Sequence, residues 1–142
     1  MFETDNDYTT EEYIDYFVDE NHKKVVAKLC VPQTTVMDEM LNVINKSCAS
    51  HFLITNIDFQ DNMLVSGTYT GIATCHPNDD FDVSVGMHVA KMKAIRSYMN
   101  DRKVVTARLA RIFNDMATRV DTMDKHTDYA KASTNREIKS RM

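Results

Sequence analysis

Glycine and cysteine are scarce, three of each in 142 residues. Gly67, Gly71 and Gly86 form neither a G-x-G-x-x-G nor a P-loop, which excludes a glycine cradle for phosphate. Cys30, Cys48 and Cys75 are odd in number and hold no C-x-x-C pair, which argues against a disulfide framework and a cysteine zinc site. The expected setting is a reducing cytosol. No apolar run approaches the roughly eighteen residues of a membrane span. The start, MFETDNDYTTEEY, is acidic and lacks a basic region followed by an apolar stretch, so it does not read as a signal peptide. No nucleophile elbow is present. Any chain with three cysteines and five histidines (His22, His51, His76, His88, His126) offers Cys/His pairs by chance. No catalytic residue is predicted, and the chain reads as a non-enzyme. Cys75, His76, Asp79 and Asp80 are the best candidates for a metal. Only two of them are N or S donors, and neighbours on a strand point to opposite faces, so no metal and no cofactor are assigned.

What is there is enough for one domain with a core, at 43% hydrophobic content. Charge is unevenly spread. Residues 1–22 carry eight acids and no lysine or arginine, whereas residues 91–142 carry thirteen bases and six acids. An acidic head and a basic end can attract each other within a chain or between copies, and the basic third can meet an anionic ligand.

Periodicity supplies the elements. Thr9 and Glu12 fit a capping box, and Tyr13, Ile14 and Phe17 form a stripe, which predicts a short acidic N-terminal helix. Residues 23–31 read as a strand ended by Pro32. Residues 34–47 read as an amphipathic helix with Met37, Met40, Leu41 and Ile44 on one face. Residues 52–59 and 63–75 read as a hairpin around Gln60-Asp61-Asn62. On its second strand Met63, Val65, Gly67, Tyr69, Gly71, Ala73 and Cys75 share one face. Gly67 and Gly71 suggest a bulge or a close helix-to-sheet approach. After a turn at 76–80, with Asp80 or Asp82 as cap, one helix is predicted to Met99. Its core stripe is Val85, Val89, Met92, Ile95 and Met99, and Gly86 lies in its first turn. A second helix is predicted over 103–120, with a near-heptad stripe of Val105, Leu109, Ile112, Met116 and Val120 that suits a homo-oligomer. The last twenty residues read as a frayed helix or a tail, and no internal repeat is apparent.

The resulting expectation is an α+β fold: an antiparallel β-sheet with two long C-terminal helices, plus the short acidic N-terminal helix. It divides into an acidic segment at 1–22, a core domain at 23–120 and a polar extension at 121–142.

Arginine is the best candidate for holding phosphate, because the helix entrance near Asp82 is acidic. Arg108 and Arg111, at i and i+3, share a polar face and can converge on one pyrophosphate. Lys91 could join them if the two long helices pair, and Phe81 or Tyr98 could stack on a base. The plainer alternative is a solvated pair with Arg111 beside Asp115. The strand–strand–helix order resembles double-stranded RNA-binding domains, but the acidic balance disfavours nucleic acid as a partner. A small oligomeric nucleic-acid-binding or phage accessory protein is the alternative reading.

From Gly71 to Phe113 the pattern is more specific. A strand ends in G-x-A-x-C-x-P (Gly71, Ala73, Cys75, Pro77), followed by D-x-F-D (Asp79, Phe81, Asp82) and a helix with Gly86 in its first turn. This pattern resembles small phage proteins of Gram-positive hosts, and in particular the Thoeris anti-defence sponge family. The resemblance covers about a third of the chain. It implies an antiparallel sheet followed by two helices, and assembly into a homo-oligomer with a hexamer as the candidate size. It also implies sequestration, without cleavage, of a cyclic ADP-ribose isomer made by host TIR-domain enzymes, in the cytoplasm of the infected bacterium. The ligand would sit at a subunit interface, held by an aromatic ring and arginines. By position, Phe81 matches the aromatic, Arg108 and Arg111 match the basic pair, and Lys91 stands at a polar position of the preceding helix.

Overall fold

A computed structural model describes residues 7–44 and 63–142. Contacts divide the chain into two units, residues 1–106 and 107–142.

The first unit is built on a three-stranded antiparallel sheet in the order β1 (Ile14–Asp19), β2 (Lys24–Cys30), β3 (Thr68–Thr74). β1 and β2 form a hairpin with Ile14 opposite Leu29 and Asp19 opposite Lys24. Where a short acidic helix was expected, only one 3-10 turn forms, at Glu11–Tyr13, and the chain then enters β1. The capping box is not made: Thr9 turns its hydroxyl to Asp7 at 2.6 Å instead. Pairing with β2 outweighs the local helix preference, because it buries Ile14 against the core while Asp15 and Phe17 stay exposed.

β2 stops before Pro32, as the sequence predicts. Thr35 returns its hydroxyl to the Pro32 carbonyl at the start of α1 (Thr35–Ile44). The predicted strand at 52–59, and so the hairpin with 63–75, lies outside the described residues. The face assignment over 63–75 holds: Met63, Val65, Gly67, Tyr69, Gly71 and Ala73 are buried, Cys75 is half-exposed, and the alternate residues from Leu64 to Thr74 are exposed. β3 starts only at Thr68, because Gly67 has φ +89°, a left-handed conformation that breaks the strand and hands its carbonyl to Val31 N–H at 2.8 Å.

The two long helices of the sequence reading are one, α2 (Val83–Arg141). No proline or glycine stands at residues 99–103 to interrupt it, and the polar residues there are held by tertiary partners. Asp101 accepts the Tyr69 hydroxyl at 2.5 Å and Ser66 N–H at 3.0 Å, and Arg102 pairs with Glu39.

Within the first unit α2 lies close against β3. A Cβ at Gly71 would stand 2.0 Å from the Ala90 carbonyl oxygen and 2.5 Å from Ala94 N. This approach selects small side chains, so Ala90, Ala94 and Tyr98 form the buried face, with Val105 beyond them. The predicted core stripe is corrected: Val85, Val89, Met92 and Met99 are exposed. Hydrophobic size pointed outward, whereas backbone proximity decided which face turned in. Among the described residues no helix is long and apolar enough to cross a membrane.

Candidate functional site

Cys75 leaves β3 with its N–H bonded to the Lys23 carbonyl at 2.8 Å. Lys23 itself has φ +51° at the end of the β1–β2 turn. Its ammonium donates to the carbonyls of Pro77 (3.0 Å) and Asp79 (2.6 Å), which fixes the turn that follows. Inside that turn Asp79 N–H reaches the His76 carbonyl at 2.9 Å. Asp82 then caps α2, its carboxylate accepting Ser84 N–H at 3.0 Å and Val85 N–H at 3.2 Å. Gly86 lets the first turn of α2 settle on Val25 and leaves room for the Phe81 ring.

These constraints frame an open pocket of about 230 Å³, somewhat below the roughly 300–1,000 Å³ usual for small-molecule sites. Its walls are mainly apolar: Ala73, Phe81, Val85, Gly86 and Val89. The polar groups on its rim are Thr74, Cys75, Asp80, Asp82 and Lys93. Asp82 is engaged in capping, and Lys93 donates to the Ile72 carbonyl at 2.9 Å. The Asp80 carboxylate has no hydrogen-bond partner among the described residues. With the helix N-terminus occupied by Asp82, the pocket floor favours a neutral or donor-bearing ring over a phosphate.

Of the residues singled out in the sequence, Phe81 lines this pocket and Lys91 does not. Lys91 is bound to Glu11, Nζ to Oε1 at 2.8 Å. Glu11 lies below its ordinary carboxylate range, chiefly because of this bond and then because of the Tyr16 hydroxyl. Lys93 is the basic residue that reaches the pocket. The spacing Val85, Val89, Lys93, four residues each, could have placed it there. Tyr98 is buried beside Tyr69, ring centroids 5.2 Å apart, and is not available for stacking.

Arg108 and Arg111 belong to the second unit and lie one helical turn apart on α2. Arg108 is half-buried and Arg111 exposed. Among the described residues neither has a carboxylate partner, because Asp115 pairs with Arg119 at 3.2 Å and not with Arg111. Lys91 and Arg108 share one continuous helix, so the pair of facing helices that was to bring them together does not form.

Cys30 is exposed and Cys75 half-exposed, both as free thiols. Among the described residues no three His, Cys, Asp or Glu side chains gather as metal ligands. Comparison with known protein families, with curated proteins and with solved structures finds no match.

Proposed function

We propose that the protein captures a small nucleotide of the cyclic ADP-ribose type and holds it without breaking a bond. The observation that carries this reading is the Phe81 pocket, an aromatic ring on an apolar wall beside a carboxylate that lacks a partner. A base stacked on Phe81 gains about 1–3 kcal/mol, and its exocyclic N–H can donate to Asp80. With the ligand between copies, as the resemblance implies, the pyrophosphate would be taken by the guanidinium forks of Arg108 and Arg111 of a second copy, which suit bidentate phosphate contacts. The resemblance of residues 71–113 to the Thoeris anti-defence sponges supports the same ligand class. The same resemblance implies a homo-oligomer in the infected bacterial cytoplasm, with the ligand between copies.

The test is native mass spectrometry and calorimetry of the full chain with cyclic ADP-ribose isomers, with ADP-ribose and with short RNA and DNA duplexes. Retention of a cyclic nucleotide that is released intact on denaturation is the expected result. Turnover to a product, or no binding at millimolar nucleotide, overturns the proposal. Duplex binding that falls steeply with salt would favour the nucleic-acid reading instead.

A further inference from the structure

Three charged side chains stand on the rim of the Phe81 pocket: Asp80, Asp82 and Lys93. Two of them are committed to the fold. The Asp82 carboxylate accepts Ser84 and Val85 N–H, and its carbonyl accepts Gly86 N–H at 2.9 Å. The Lys93 ammonium is drawn to the Ile72 carbonyl at 2.9 Å. The Cys75 sulfur lies 3.6 Å from the Asp80 carbonyl and 3.8 Å from that of Asp79, so its weak donor faces the turn.

Asp80 is the exception. It is exposed, and its carboxylate has no hydrogen-bond partner among the described residues. The backbone that carries it is nevertheless fixed on both sides. Lys23 donates to the Pro77 and Asp79 carbonyls just before it, and the Asp82 cap starts α2 just after it. Phe81 stands between the free carboxylate and the cap. The uncommitted charge of the rim is therefore held beside the aromatic wall, and it is negative.

An ionised carboxylate accepts hydrogen bonds and donates none. A flat ring lying on Phe81 gains from Asp80 only through an N–H on its edge. A ring nitrogen or a carbonyl oxygen at that place would set a lone pair against a negative charge. Hydrogen bonds to a charged group are about twice as strong as neutral ones, so this one group weighs heavily in the choice of ring. Thr74, the remaining polar residue of the rim, has a hydroxyl that can give or take a proton and so does not discriminate.

We propose that Asp80 sets the specificity of the Phe81 pocket, selecting heterocycles that carry an exocyclic amine over the same rings without one. This rests on the reading of the pocket as a base site, and the experiment separates the two. Gly86 is part of the pocket wall and one of only three glycines, so its amide is a readable reporter in a nitrogen-15 correlation spectrum. The full chain is titrated with adenosine and with purine riboside, the same ring system lacking the amine. Adenosine is expected to bind about tenfold more tightly or better. Asp80→Ala should bring the two within about twofold of each other. Asp79→Ala, the neighbouring acid that does not line the pocket, should keep the wild-type preference. Equal affinities in wild type overturn the role of Asp80 and leave the base site standing. The same result would follow if the Lys93 ammonium were the anchor, because purine riboside keeps the ring nitrogens that it would bond. A preference that survives Asp80→Ala, or is lost in Asp79→Ala, also overturns the proposal. No shift of the Gly86 amide with either nucleoside at millimolar concentration overturns the base site itself, and the inference with it.

Discussion

Lys91 is held by Glu11, Nζ to Oε1 at 2.8 Å, and the other oxygen of that carboxylate accepts the Tyr16 hydroxyl at 2.8 Å. The acidic N-terminal turn is thus fastened to α2 and to its own following strand by one side chain. The lysine that the sequence offered as an anion ligand is already spoken for.

This contact has a pH signature. The Tyr16 phenol is pushed up to about 12 from its usual 10.0, first by burial and then by Glu11. A raised acid contributes stability that is fully present below pH 10 and is lost as pH rises through 12. Glu11 shifts the other way, so its contribution is present above the ordinary glutamate range and lost as pH falls below it. Glu11→Gln should move the Tyr16 titration part of the way back toward 10.0, since burial remains. Tyrosinate absorbance during alkaline titration of wild type and variant reads the difference.

Gly71→Ala should cost about 3 kcal/mol or more of folding stability, at the upper end of overpacking effects. The new methyl would meet the Ala90 carbonyl and the Ala94 backbone, which cannot swing aside. Gly86→Ala meets only the tip of Val25 at 2.8 Å and should cost less. Urea melts of the two variants, compared at equal m-value, test the order.

Asp101→Ala should cost about 1–3 kcal/mol by leaving the buried Tyr69 hydroxyl without its acceptor, while Ser66 N–H keeps the Tyr69 oxygen at 3.1 Å. Asp101→Asn keeps one oxygen for these donors and should recover part of the loss. Thermal melts followed by near-ultraviolet dichroism of the Tyr69–Tyr98 pair would show it.

For the ligand, Arg108→Ala with Arg111→Ala should abolish nucleotide binding while the sedimenting mass stays that of wild type. Phe81→Ala should weaken binding by about 1–3 kcal/mol through lost stacking. Calorimetry with the retained nucleotide measures both, and unchanged affinity in the double arginine variant would remove the clamp.

Much of this architecture is readable from residue order. Val25, Ala27 and Leu29 alternate inward as strand residues should, Asp82 caps where a helix must begin, and Gly71 and Gly86 mark where helix and sheet approach. What misled was local preference set against tertiary pairing. Thr9 and Glu12 resemble a helix start, yet the alternation of Ile14, Tyr16 and Val18 with Asp15, Phe17 and Asp19 already carried the strand. Asn100-Asp101-Arg102 reads as a break only until Tyr69 and Glu39 are seen to satisfy it. Of the candidate ligand residues, Phe81 is the one that the structure sets on the pocket wall. Lys93, and not Lys91, reaches that pocket, a difference that two lysines in a polar helix do not reveal by sequence.

Cys75, half-exposed on the rim of the Phe81 pocket, makes the protein its own occupancy gauge. A molecule seated in the pocket would shield that sulfur from a maleimide, whereas Cys30, exposed on β2, would go on reacting and serve as the internal clock. The ratio of the two alkylation rates, read peptide by peptide, would then rank ligands by how fully they fill the cavity, with no label added to either partner.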